Sequence, residues 1–260
     1  MTQHLKVYGV PTQVEPEELA GGTVVAVDVL RATSTILYAL AAGAAEVIVC
    51  LEIDDALRTA SRLPRSQVVL GGERGGLPIE GFDLGNSPLE YDPAVVAGKT
   101  IVLATTNGTR AMHRCRLAES VFIGAFVNAA AVVDRLAGLP RIAFLCAGSD
   151  GEVTRDDVLL AGLMVERLQR RSAMAYRLNP QAIAARDQWM ASLPASMASG
   201  AERLPPPLLA DQLRKGLAGQ KLVAIGMEDD LYAAAQLDRF SIVPVLDTGT
   251  FRIHVPRQAC

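Results

Sequence analysis

The sequence predicts an α/β fold of three layers, in which a mostly parallel or mixed central sheet is covered by helices on both faces. Three observations carry this expectation. Short runs rich in Val and Ile recur along the first two thirds of the chain, and each is apolar on both faces, as a doubly covered strand must be. Each run is followed by a stretch with helical periodicity. The 260 residues are 50% hydrophobic and 20% charged, enough apolar material to bury a large core.

Taken in order, "TVVAVDVL" (23–30) reads as a buried strand, and "ATSTILYALAAGA" (32–44) as a helix that Thr33 or Ser34 can cap. "EVIVCL" (46–51) is a second strand, "DDALRTASRL" (54–63) a helix and "QVVLGG" (67–72) a third strand. "KTIVLATT" (99–106) and "SVFIGAF" (120–126) continue the strands, with helices at 107–115 and 128–137. "RIAFLCAG" (141–148) precedes a long helix at 156–171. The rhythm breaks after 172: helices are expected near 180–191 and 207–218, separated by the Pro- and Gly-marked loop "SLPASMASGAERLPPP". A short helix from Glu228 and two strands, "SIVPVL" and "GTFRIHV", close the chain. No linker marks a boundary, so one α/β domain over 1–260 is expected, with a mainly helical segment at about 173–220.

One stretch resists both periodicities. "GGERGGLPIEGFDLGNSPLEY" (71–91) holds six glycines and two prolines. Structureless loops beyond about 12–15 residues are uncommon in compact domains and are usually functional or disordered. Leu77, Ile79, Phe82 and Leu84 supply apolar anchors, so a site loop is expected.

The formal charge of −3 gives no general attraction to nucleic acid or to anionic lipid. "MTQHLKVYGVPTQ" has no apolar core of signal-peptide length, and no apolar run is long enough for a membrane span. Cys50, Cys115, Cys146 and Cys260 form no CxxC pair and read as reduced thiols. A soluble, cytoplasmic protein is expected. His4, His113 and His254 lack metal-ligand spacing. No GxGxxG follows a strand, and neither GxxxxGK[ST] nor GxSxG occurs, so dinucleotide, P-loop and serine-elbow readings have no support.

In an open α/β sheet, ligands bind beyond the carboxyl ends of the strands. Four polar clusters fall there: "DVLRATST" (28–35), "GGERGG" (71–76), "TTNGTR" (105–110) and "CAGSDGEVTRDD" (146–157). In "TTNGTR", the hydroxyls of Thr105, Thr106 and Thr109, the close backbone approach allowed by Gly108 and the helix start after Asn107 suit an anion, and Arg110 could add a planar fork. A capped strand-to-helix turn is the plain alternative. Asp28 ends an otherwise apolar strand, where an unpaired carboxylate is costly, so it needs a metal, an arginine or a cluster of donors. Arg31, Thr33, Ser34 and Thr35 follow at once, and a structural Asp28–Arg31 pair is the alternative there. Asp28 and Glu73 at neighbouring strand ends could hold Mg²⁺, a hard cation that takes one or two carboxylates with waters and substrate oxygens. The site loop adds Arg74, Asn86 and Ser87, and Gly148 shapes the loop before the long helix. For Glu152 and Asp156 the helix dipole alone explains an acid near a first turn, whereas Asp157 is kept as a candidate metal ligand. Cys146 reads as a buried structural thiol.

Together "VDVLRATSTI", "GGERGGLPIEGFDLGNSPLEY", "TTNGTRAM" and "CAGSDGEVTRDDVLLAGLMVERL" resemble the 2-phosphosulfolactate phosphatase family, over roughly residues 20–170 and more weakly in "DLYAAAQLDRFSIVPVL". The resemblance implies a three-layer α/β phosphatase and Mg²⁺-dependent hydrolysis of a small phosphorylated acid to sulfolactate and phosphate, a step known from coenzyme M biosynthesis. By motif it carries over Asp28, Arg31, Glu73, Arg74, Thr106, Asn107, Gly108, Thr109 and Arg110. In the expected scheme Asp28 and Glu73 hold the metal, Arg31 and the 105–110 donors meet the phosphoryl oxygens, and Arg74 or Arg110 meets the substrate's other acid. An aspartyl-phosphate on Asp28, a non-catalytic sensor of phosphorylated acids and an isomerase or lyase of sulfolactate-like acids are the alternatives. A homodimer is a possible assembly.

Overall fold

The computed structural model describes residues 3–171, 175–194 and 204–256. Side chains alternate faces along a strand, and that alternation divides the core. Val25 and Val27 pack into one apolar cluster, while Val24 and Ala26, one residue out of step, pack into another on the opposite face. Both faces of the central strands are therefore dry, which is why these segments lack polar residues.

The described residues form eleven strands: β1 (His4–Tyr8), β2 (Thr23–Val27), β3 (Glu46–Cys50), β4 (Val68–Arg74), β5 (Leu77–Pro78), β6 (Thr100–Ala104), β7 (Ser120–Gly124), β8 (Arg141–Cys146), β9 (Arg177–Leu178), β10 (Val245–Asp247) and β11 (Arg252–His254). Their order is β5-β4-β6-β3-β11-β10-β7-β2-β8-β1-β9. Parallel pairing unites β4, β6 and β3 in one group and β7, β2, β8, β1 and β9 in the other. The hairpin β10–β11 runs antiparallel to both its outer neighbours and joins the groups. The sheet is thus mixed but mostly parallel.

Helices cover both faces: α1 (Pro16–Leu19), α2 (Ala32–Ala41), α3 (Ile53–Ser61), α4 (Pro93–Val96), α5 (Gly108–Arg114), α6 (Ala129–Leu136), α7 (Arg155–Arg171), α8 (Pro180–Ser192), α9 (Pro206–Arg214), α10 (Leu217–Ala224) and α11 (Asp229–Ala234). Residues of α6, α7, α8, α9 and α11 share the cluster of Val25 and Val27, whereas Ile36 and Leu37 of α2 and Met112 of α5 share that of Val24 and Ala26. A third cluster sets Ala56 and Ala60 of α3 against Ile48 and Val102. Three layers result. The α7–α8 contact is close because Gly162 has no side chain: a Cβ there would lie 2.1 Å from the Ala185 carbonyl oxygen.

Several boundaries differ from those expected. The segment His4–Tyr8 is a strand inside the sheet, with Leu5 and Val7 buried and Lys6 between them. The helix expected at 207–218 breaks at Gly216, giving α9 and α10. The stretch 71–91 is an ordered strap. It continues β4 to Arg74, turns at Gly75–Gly76 into β5 and returns along β4, where the Asp83 and Leu84 amides donate to the Leu70 carbonyl. Ile79, Phe82 and Leu84 pack inward, but Leu77 is 55% exposed. Cys260 and most of the loop between α8 and α9 lie outside the described residues. No helix among the described residues is long and apolar enough to cross a membrane.

Candidate active site

The site is built where β2 stops. After Val27 the chain leaves the sheet, turns through Asp28–Arg31 and enters α2. The hydroxyls that follow hold this turn. Thr33 Oγ1 donates to the Asp28 carbonyl (2.8 Å) and accepts from the Asp28 amide (3.1 Å), and Ser34 Oγ donates to the Val29 carbonyl (2.8 Å). Thr109 does the same after β6, donating to the Thr105 carbonyl at 2.6 Å.

The turn also rests on the start of α7. Asp157 accepts from the Val29 amide (2.8 Å) with one oxygen and from the Gly148 amide (3.0 Å) with the other, and Asp156 accepts from the Leu30 amide (3.2 Å). Burial pushes the Asp157 carboxyl up to about 6, against the opposing pull of these amides. Asp156 is raised well above the usual carboxylate range by burial and by the charge of Asp157. Both acids are buried in the first turn of α7, and neither lines the cleft above.

Above this clamp lies a cleft of about 320 Å³. Asp28, Arg31, Glu73, Asn86, Thr106 and Asn107 line it, with Ser149 and Asp150 from the loop before α7, and residues of α10 complete the wall. Glu73 is held from two sides: Oε1 accepts from the Thr106 amide (2.7 Å) and Oε2 from the Gly76 amide (2.8 Å). Burial raises the Asp28 carboxyl well above its usual range, and repulsion from Asp157, Asp156 and Glu73 adds to that. Gly108 abuts the same carboxylate, since a Cβ there would lie 2.6 Å from Asp28 Oδ2. Two polar atoms bordering the cleft, Asn86 Oδ1 and Thr106 Oγ1, are buried without a hydrogen-bond partner.

A family model described as 2-phosphosulpholactate phosphatase matches residues 8–249. The chain belongs to this family. Among its relatives, a "Probable 2-phosphosulfolactate phosphatase" of Symbiobacterium thermophilum is 40% identical over 234 residues, spanning 90% of this chain and 94% of that one. One of the same description from Caldanaerobacter subterraneus subsp. tengcongensis is 34% identical, spanning 95% of this chain and 97% of the relative. A third, from Parasynechococcus marenigrum, is 36% identical over 91% and 93%.

Within this family member, six of the residues singled out in the sequence line the cleft and the rest stand around it. Thr33, Ser34 and Thr109 are turned to backbone carbonyls, and Gly148 and Asp157 belong to the clamp beneath. Arg74 is drawn sideways, donating to the carbonyls of Glu73 (3.0 Å) and Leu51 (2.5 Å). Arg110 is exposed on α5 and does not line the cleft. Cys146 is buried and its thiol is pushed well up by that burial, in keeping with a structural role.

Sequence reasoning missed two contributors. Asp230 of α11 receives Arg31 Nη1 at 2.8 Å, with both side chains 3% exposed, and also accepts from the Ser87 hydroxyl. Arg31 donates its other terminal nitrogen to the Gly76 carbonyl at 2.9 Å. A signal existed: Asp230 sits directly before Leu231 and near Ala233 and Ala234 on a short helix, so an acid had to enter the core and find a cation. The second contributor is Lys221 on the α10 wall, for which no local pattern speaks.

The donor set suits a hard cation. Asp28 and Glu73 offer carboxylate oxygens, and the unpartnered Asn86 Oδ1 and Thr106 Oγ1 offer neutral oxygens, with no His or Cys among the described residues of the cleft lining. Among the described residues no three His, Cys, Asp or Glu side chains are grouped to hold a metal ion. Two carboxylates completed by waters and substrate oxygens is the arrangement Mg²⁺ commonly takes, so the residues fit it.

Proposed function

We propose that this chain is a Mg²⁺-dependent phosphoric monoester hydrolase that converts 2-phosphosulfolactate, or a similar small phosphorylated acid, to the hydroxy acid and phosphate. The observation that carries the reading is Asp28. It is a buried carboxylate at a strand end, raised in pKa by burial and by acidic neighbours, and it faces a cleft bordered by unpartnered oxygens. Such a group is costly to keep unless a cation relieves it. The relatives' names supply the substrate class, and family membership supports carrying it over.

Asp28 and Glu73 would hold the metal. When bound, Mg²⁺ neutralises phosphate charge and favours attack by water at phosphorus. Thr106 Oγ1 has its hydroxyl free to donate to a phosphoryl oxygen, and Asn86 Oδ1 can accept from and orient the attacking water. Arg31, locked against Asp230, adds a fixed positive charge that need not reorganise during the reaction. Water adds to phosphorus, the ester P–O bond breaks, and the departing oxygen takes a proton to become the hydroxyl of the acid. The buried free thiols Cys50, Cys115 and Cys146 agree with a cytoplasmic setting.

The test is Asp28→Asn, which keeps the side chain's size and removes its charge. Loss of a metal worth several kcal/mol to the transition state lowers kcat by roughly 10³-fold or more. A variant within fivefold of wild type would contradict the assignment.

A further inference from the structure

We propose that Lys221 is the specificity residue of this cleft, binding a second, strongly acidic oxyanion of the substrate by exchanging Asp150 for it. This rests on the phosphatase reading above. Among the described residues the cations lining the cleft are Arg31 and Lys221, and their situations are opposite. Arg31 is sealed: its pair with Asp230 is 3% exposed on both sides, and withdrawing one member of a buried pair is strongly unfavourable. It can lend charge to a ligand but cannot turn to follow one.

Lys221 is poised. Its ammonium donates to Asp150 Oδ2 at 3.2 Å and to Ser149 Oγ at 3.5 Å, both long contacts, and the two charged side chains are 63% and 70% exposed. Exposed pairs of this kind contribute little, so a ligand can replace the partner almost freely. Lys221 of α10 lines the same cleft as Asp28 and Glu73, and Leu222 and Ile225 line it beside polar groups as its apolar surface. A ligand filling this cleft of about 320 Å³ therefore meets both the carboxylates that can hold a metal–phosphate and an ammonium free to take a second anionic group. Arg74 and Arg110, the residues expected to take this part, are not in the lining.

The experiment compares kcat/KM for 2-phosphosulfolactate, for 2-phospholactate and for β-glycerol phosphate, which has no second acid, in wild type, Lys221→Gln and Asp150→Asn. Losing one charge-assisted contact lowers the preference of Lys221→Gln for the acid-bearing esters over β-glycerol phosphate by about 10–100-fold, chiefly through KM. A fall for both acid esters assigns Lys221 to carboxylate, and a fall for the sulfonated ester alone assigns it to sulfonate. Asp150→Asn, at a left-handed position (φ 54°) that Asn tolerates, holds or raises the preference because the competitor is gone. A Lys221→Gln preference equal to that of wild type, or a fall in Asp150→Asn, overturns the role. Wild type that hydrolyses none of the three esters overturns the phosphatase reading and this role with it.

Discussion

Replacing Gly108 by Ala adds one methyl group at the point where α5 meets Asp28. The backbone there is conformationally ordinary, and in a helix Ala is preferred over Gly by up to about 1 kcal/mol. Any loss must therefore come from packing. The new carbon would lie 2.6 Å from Asp28 Oδ2 and 2.6 Å from the Ala32 Cβ, whereas ordinary contact begins near 3.4 Å. The carboxylate and the first turn of α2 must retreat by about 0.8 Å to make room. Overpacking of this kind costs about 1–3 kcal/mol, partly offset by helix preference, so the melting temperature falls by only a few degrees. Activity responds more steeply, since a displacement near 1 Å can cost about 100-fold. The assay is phosphate release at saturating Mg²⁺, with a thermal melt on the same sample. Gly108→Ala that melts within about 8 °C of wild type and has lost roughly 100-fold in kcat/KM supports the placement of Asp28 at the reacting centre. Wild-type kcat/KM would refute the argument from packing to chemistry.

Asp230→Ala leaves the Arg31 guanidinium buried without its acid and the Ser87 hydroxyl without its acceptor. A loss of about 3–5 kcal/mol is expected from urea unfolding, and a loss below about 1 kcal/mol would show that Arg31 finds water or another partner. His113 supplies a pH prediction. Its ring stacks on Phe251 with centroids 3.6 Å apart, and burial lowers its pKa from 6.5, with the charge of Asp55 pulling weakly the other way. The neutral form is thus favoured in the fold, so its stabilising contribution is complete above pH 6.5 and is lost as pH falls through the lowered value. His113→Phe should therefore gain in melting temperature relative to wild type on going from pH 8 to pH 5, and parallel curves would contradict this.

The sheet was legible because its central strands are dry on both faces, which forces runs such as "TVVAV" and "RIAFLC" whatever their neighbours. The first strand was not, because Lys6 interrupts its apolar residues and five residues are too few to establish alternation. The four polar strand ends were read from position alone, and all four meet in one cleft, through Asp28, Glu73, Thr106 and Asp150. What the individual side chains do there was less visible. Thr33, Ser34 and Thr109 carry the composition of an anion site, yet local carbonyls within a few residues capture their hydroxyls, the usual competition for Ser and Thr at turns. Arg74 is diverted by the Leu51 carbonyl, a partner that only the folded sheet brings near. The part of the site built by α10 and α11 was illegible for a related reason. Lys221 and Asp230 lie about two hundred residues from Asp28, on short helices whose order along the chain says nothing about where they dock.

Phosphate release from 2-phosphosulfolactate, with Mg²⁺ and again after chelation, tests the central claim most directly. Release that stops on chelation and returns when Mg²⁺ is restored is the predicted result. Release indifferent to chelation would remove the metal from Asp28 and Glu73, and no release from this or any small phosphorylated acid would contradict the hydrolase itself.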